Sequence, residues 1–421
     1  MIYQPPAGAR DLLPLEVAQK SWINDRLQQV FQKWGYQRIV TSTLEWLDTL
    51  TAGGAIEPST VIQLRDNSEK TLGLRPELTA SIARAAVTRM AENTYPQRLC
   101  YRANVFRHPP QNYHGRQLEF YQAGVELLFA GGVLADAEIL LLLAHCLEDL
   151  GIPDWHILLG EAGLTRSLLA VFPQSIRQQV RYCIAHLDCI TLENLSLEPQ
   201  LKERALCLFD LRGKAEDVLE KISGLDLDPS ARAIVSNLKS LIELLGRSFS
   251  KPLPLILDLS LIETFDYYTG IVFEVVNYRG DLAKGEARGG VAATALQERS
   301  RILGKGGRYD QLLGLYHPQG ITSPGIGFAL NIEDLHSCLL LTDRLPQQTP
   351  KSDWLVIPKT PEAESAAFVY AQKLRNSEHI VRVEIDLGGR SPTEIREYAR
   401  ACRIERLAWI QADGTPIIET V

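Results

Sequence analysis

The sequence predicts an α+β protein: antiparallel strands among helices, a helical insertion, and a small α/β domain at the C-terminal end. Three patterns carry this. Residues 98–106 and 118–128 read as long strands joined by a polar, Pro/Gly-rich loop, the mark of an antiparallel hairpin. Residues 161–250 have helical spacing without strand alternation. Beyond residue 352, strand-like and helix-like segments alternate, which argues for a partly parallel sheet. A length of 421 residues gives room for two or three domains and a large core.

The elements follow in chain order. Residues 8–14 form a turn-rich lead-in, bracketed by Gly8 and Pro14. Residues 16–34 place Val17, Trp22, Ile23, Leu27, Val30, Phe31 and Trp34 at helical spacing, and Gly35 sits where a C-cap glycine belongs. A short strand is expected over 36–40. Residues 72–77 read as a strand ending near Pro76, and 79–91 as a helix with Thr79 as its N-cap. The apolar stretch 136–150 reads as a helix closed by Gly151 and Pro153, with His145 as a satisfied core histidine. Residues 261–274 place Asp266, Tyr267 and Tyr268 at the entry to a strand-like run rich in Thr, Ile, Val and Phe. A mobile loop is expected over 277–302. The run 304–310 is glycine-rich; it lacks the GK[ST] ending of a P-loop, so a phosphate cradle and close backbone packing both stay open. Residues 325–335 read as a strand feeding a helix. A linker is expected over 341–352, then strands at 354–357, 380–385 and 406–411 with helices at 361–376 and 392–402.

Composition narrows the function classes. Hydrophobic residues at 45% and charged residues at 23% are ordinary for a globular chain. A net charge of −7 does not favour a protein whose main task is gripping phosphates. Residues 351–421 hold 10 Lys and Arg against 11 Asp and Glu, a net −1, so a strong nucleic-acid grip is not expected there. The apolar run at 139–144 is too short to span a bilayer. The first residues lack a secretory leader, and a cytoplasmic location is expected. The seven cysteines are scattered, which predicts free thiols and no structural zinc.

Candidate site residues come from chemistry and position. Glu77 stands at a strand-to-helix corner, where it either meets a ligand or favours the helix N-terminus. Arg107 and Arg116 close one end of the hairpin; they are either anion-binding forks or solvated loop arginines. Gln122 and Glu126 share a strand face with Phe120, which points to a polar ligand held on a sheet. Tyrosines such as Tyr268 suit the wall of a small, specific pocket.

Four ordered blocks give these residues a context: Ala9-Arg10-Asp11-Leu12-Leu13-Pro14, Leu74-Arg75-Pro76-Glu77, the hairpin from Phe106-Arg107 through Gly115-Arg116 to Phe120-Tyr121-Gln122, and Asp266-Tyr267-Tyr268-Thr269 with Gly306-Gly307-Arg308-Tyr309-Asp310. Along nearly its whole length the chain resembles the histidyl-tRNA synthetases. The resemblance implies a class II aminoacyl-tRNA synthetase-like antiparallel sheet flanked by helices over 1–160 and 251–340, a helical insertion over 161–250, and a C-terminal domain over 353–421 similar to an anticodon-binding domain. It implies a dimer. It also carries the family's histidine-pocket positions onto Glu77, Gln122, Glu126, Tyr268 and Tyr309, with Arg107 on the second-motif arginine. Arg116 and Phe120 remain as nucleotide-contact positions.

The activation machinery departs from that pattern. Glu263 stands where the family has an arginine, Pro109 where it has the glutamate that reads adenine, and Asp334 where it has the third-motif arginine. Losing one transition-state donor costs roughly 10²–10³ in rate. A synthetase-like chain with a histidine-shaped pocket and no catalytic set resembles the ATP phosphoribosyltransferase regulatory subunits, as do residues 115–126 and 269–273. That resemblance implies a non-catalytic role beside a short catalytic subunit in the first step of histidine biosynthesis, a histidine ligand, and no cofactor or metal. A working histidine–tRNA ligase and a free histidine or tRNA sensor stay open as alternatives.

Overall fold

The computed structural model describes residues 3–54, 56–66, 70–92, 96–108, 117–249, 251–261, 268–278 and 300–421. The chain forms two compact units, Met1–Leu345 and Pro346–Val421. The first holds strands β1 (Gln37–Arg38), β2 (Leu44–Trp46), β3 (Gln63–Arg65), β4 (Thr71–Leu74), β5 (Gln97–Phe106), β6 (Glu119–Leu128), β7 (Trp155–Glu161), β8 (Arg212–Gly213), β9 (Leu255–Asp258), β10 (Ile271–Tyr278), β11 (Ser300–Arg308) and β12 (Gly325–Asn331). Nine of them form one sheet in the order β1-β5-β6-β12-β11-β10-β7-β9-β8, while β2, β4 and β3 form a small separate sheet.

The centre of the large sheet, from β5 to β7, is antiparallel as expected. Its margins are not: β1 runs parallel to β5, and β9 parallel to β7. Helices Pro14–Lys33 and Val133–Leu150 pack on the rear face. Phe31 meets Phe328 there with ring centroids 6.3 Å apart. Fully burying side chains of this size stabilises by about 1.5–3 kcal/mol each. Gly151 closes the second helix in the left-handed region, φ 71°. His145 accepts from Trp34 Nε1 at 2.9 Å, a satisfied histidine as expected. Helices between Ala162 and Ser248 follow β7.

Several boundaries move for physical reasons. The first helix begins at Pro14, because a proline at the first helical position loses no internal hydrogen bond. Strands β7 and β9 lie where no strand is expected: β7 is buried along nearly its whole length, so it shows no alternation. The expected loop over 277–302 is shorter at both ends, since Asn277 and Tyr278 complete β10 and Ser300 opens β11. Residues 279–299 lie outside the described residues.

The second unit is a four-stranded sheet, β14-β13-β15-β16, from β13 (Trp354–Pro358), β14 (Val383–Ile385), β15 (Arg406–Ile410) and β16 (Pro416–Thr420). The first three are parallel to one another, and β16 adds an antiparallel edge that the spacing does not reveal. Helix Pro392–Ala401 starts with a capping box between Ser391 and Glu394.

Candidate ligand-binding site

On the front face of the sheet the register brings small residues together. Glu126 of β6 lies opposite Gly327 of β12, and Gly327 lies opposite Gly307 of β11. In the next row Gly124 faces Ala329. This side-chain-poor floor leaves a cavity of about 600 Å³. Large side chains lie across the glycines instead. A Cβ on Gly327 would stand 2.0 Å from Glu126 Oε2, and one on Gly307 would stand 2.7 Å from the Tyr268 ring. The glycine-rich run is therefore part of a strand that packs closely against tyrosine, as the close-packing alternative expects.

Glu126 is the chemical centre of the cavity. It is 1% exposed. Its Oε1 accepts from Thr79 Oγ1 at 2.8 Å, and its Oε2 accepts from the Tyr309 hydroxyl. Burial pushes its carboxyl up to about 8, against the two hydroxyl donors, and nearby Glu77 pushes the same way. Glu77 caps helix Thr79–Thr88: its oxygens accept from the amides of Thr79 at 2.6 Å and Ala80 at 2.9 Å. Burial raises its carboxyl too, and those amides partly offset the rise. The expected cap, Thr79, does not cap; its hydroxyl serves Glu126, and the preceding carboxylate takes the helix amides.

The remaining wall is polar and aromatic. Gln122 is 8% exposed, and its Oε1 meets no donor among the described residues. Arg107 donates through Nε to the Pro76 carbonyl at 2.6 Å and lies 5.2 Å from the centre of the Phe120 ring. The Tyr268 carbonyl is held by Arg166 at 2.9 Å. Buried hydroxyl, amide and carboxylate acceptors converging this way suit a compact solute rich in N–H donors.

At the outer end, Asn331 caps helix Ile332–Leu339, accepting from the amides of Glu333 at 3.0 Å and Asp334 at 3.3 Å. Glu333 is tied to Lys20 Nζ at 3.0 Å and to the Tyr121 amide at 3.0 Å. Lys20 is only 5% exposed. Asp334 pairs with Arg301 at 3.6 Å.

The structure thus gathers Glu77, Arg107, Phe120, Gln122, Glu126, Tyr268, Tyr309 and Asp334 around one cavity. Arg116, Pro109 and Glu263 lie outside the described residues. Among the described residues no cluster of His, Cys, Asp and Glu is arranged to hold a metal ion. Sequence reasoning missed Thr79 as a site residue and missed Lys20. The signal for Lys20 was present: it shares the apolar stripe of Ile23, Leu27 and Phe31 at helical spacing.

The fold and cavity define a class: the family model described as histidyl-tRNA synthetase matches residues 8–335. A histidyl-tRNA synthetase from a Nostoc species shares the fold at a TM-score of 0.75 and 20% identity, over 99% of this chain and 97% of that one. A Bacillus halodurans crystal structure, described as an ATP phosphoribosyltransferase regulatory subunit/histidyl-tRNA synthetase, has a TM-score of 0.78 at 26% identity, covering 98% of this chain and 99% of that one. Within this class, the chain belongs to the ATP phosphoribosyltransferase regulatory subunit family. It is 69% identical over 424 residues to the protein of that name from Gloeothece citriformis and 65% identical to that from Rippkaea orientalis, with 100% of each chain covered in both cases. No helix among the described residues is long and apolar enough to cross a membrane.

Proposed function

We propose that this chain is a non-catalytic regulatory subunit of ATP phosphoribosyltransferase. It acts with a short catalytic subunit in the first step of histidine biosynthesis, the joining of ATP and phosphoribosyl pyrophosphate, and its cavity binds histidine as the feedback signal. In this reading Glu126 and Glu77 favour the ligand's positive charge, while Gln122, Tyr268 and Tyr309 bind its polar atoms. Arg107 attracts the carboxylate. The chain forms a dimer, and the complex works in the cytoplasm.

One observation carries the reading. A buried acceptor set centred on Glu126 shares its cavity with Asp334, an anion where the synthetases carry an arginine. Pro109 and Glu263 point the same way from the sequence. Such a site suits the amino acid and sets an anion where adenylate formation calls for a cation. Mixing the chain with a short catalytic subunit tests this. Activity that appears or rises on mixing and falls with histidine supports the proposal. Histidine-dependent exchange of pyrophosphate into ATP by this chain alone would establish a working ligase instead.

A further inference from the structure

We propose that Arg308 is a positioning residue, whose buried ion pairs with Asp136 and Asp310 hold the Tyr309 hydroxyl against Glu126. Tyr309 needs such a frame. The ladder between β11 and β12 ends at Arg308, opposite Ile326, so Tyr309 lies one residue past the last paired position. It is nonetheless 2% exposed, and its hydroxyl reaches Glu126 Oε2. Successive residues of a strand point to opposite faces. Tyr309 thus meets the cavity, while Arg308 points to the rear, where helix Val133–Leu150 presents Asp136 in its first turn.

Side chains take over where the ladder stops. Arg308 is 7% exposed. Its Nε and Nη2 both donate to Asp136 Oδ1, Nε at 3.0 Å, and its Nη1 donates to Asp310 Oδ1 at 3.1 Å. That same Asp310 oxygen accepts from the Gly325 amide at 3.2 Å, and the Gly325 carbonyl accepts from the Tyr309 amide at 2.8 Å. From β10's approach, Thr269 donates its amide to the Arg308 carbonyl at 2.8 Å and accepts from the Asp310 amide at 3.0 Å. The residues before and after Tyr309 are therefore both fixed. Gly270 makes room for the arginine: a Cβ there would stand 2.8 Å from Arg308 Cδ.

A buried ion pair is weak evidence for stability, because desolvation offsets much of its attraction. What this one supplies is direction. A planar guanidinium spanning two carboxylates fixes the chain on both sides, which a Lys ammonium acting as a point charge does not. Glu126 shares its cavity with Glu77, Tyr101, Tyr268, Tyr309 and Arg107, and Tyr36 feels its charge as well. Its hydroxyl donors are Thr79 and Tyr309. Moving Tyr309 away removes a donor to the ionised carboxylate, so the carboxyl should keep its proton to higher pH. Ligand affinity as a readout rests on the histidine reading above, while the positioning itself does not.

A double-mutant cycle of Arg308→Lys and Tyr309→Phe in the full chain tests this, read by histidine calorimetry and by ligand-free urea unfolding across neutral and mildly alkaline pH. Arg308→Lys should weaken histidine binding at least about tenfold, the loss of one hydrogen bond to a charged group. The pH at which affinity levels off should move above about 8. Stability, which falls as pH rises towards the Glu126 value, should go on falling past about 8. In the Tyr309→Phe background the same substitution should change affinity by less than about twofold and add no further fall. Should Arg308→Lys fail to fold, Asp310→Asn is read in its place, with the same pattern at smaller size. Equal effects in the two backgrounds, or a lowered urea midpoint with affinity and pH profile unchanged, would overturn the proposal. No histidine binding by the unaltered chain would remove the functional reading, and the unfolding cycle would still decide the role of Arg308.

Discussion

Glu126→Gln preserves the shape of the side chain and removes its ability to ionise. Burial holds the Glu126 carboxyl up to about 8, so it carries a proton at neutral pH. A cationic nitrogen seated against it calls for the ionised form. Removing that proton costs about 1.4 kcal/mol for each pH unit below 8, so about 2.7 kcal/mol at pH 6 and about 0.4 kcal/mol at pH 8. Histidine affinity should therefore rise nearly tenfold per unit from pH 6 towards 8 and then flatten, with protons released on binding. The ligand's own imidazole, at roughly 6.5, adds a smaller rise below pH 7, which Glu126→Gln retains while losing the rise towards 8. The same proton shapes folding. The native value exceeds the ordinary 4.5, so the native state binds this proton more tightly and stability falls as pH rises between the two values. The variant should lose that fall. Calorimetry at pH 6, 7, 8 and 9 in buffers of different ionisation heat, with urea unfolding alongside, reads both effects. A pH-independent affinity, or a slope that survives the substitution, would refute the role given to Glu126.

Two further substitutions probe how the site is built. Gly327→Ala places a methyl 2.0 Å from Glu126 Oε2 and 2.3 Å from the Val125 carbonyl, a strand backbone that cannot yield; urea unfolding should show a loss of about 1–3 kcal/mol, and histidine binding should weaken sharply. Lys20→Met strips Glu333 of its buried partner at 3.0 Å. It should cost about 3 kcal/mol, the low end for a broken buried pair because Glu333 keeps some exposure; a chemical denaturation midpoint equal to that of the unaltered chain would contradict the assignment.

Much of this was legible in the sequence where one face of an element is wet. The β5–β6 hairpin and the shared face of Gln122 and Glu126 follow from period-two alternation. Strand β7 was hidden because burial on both faces erases that signal. The corner at Glu77 was readable as a ligand position or a helix-end carboxylate, and the fold makes it a cap that also lines the cavity. The division of labour between Glu77 and Thr79 was not readable, since either side chain can satisfy helix amides and only the cavity decides which one is drawn away. The run holding Gly307 read as a phosphate cradle or close packing and Gly327 as part of a strand, and only the cross-strand register shows which rings and carboxylates lie over them.

The central claim is that this chain regulates a partner and does not itself activate histidine. The most direct measurement is phosphoribosyl-ATP formation by a short catalytic subunit, alone and with this chain added, over a histidine titration. The account predicts little activity alone, a clear gain on mixing, and loss of that gain as histidine rises, with Glu126→Gln blunting the histidine response. No complex and no change in rate would contradict it.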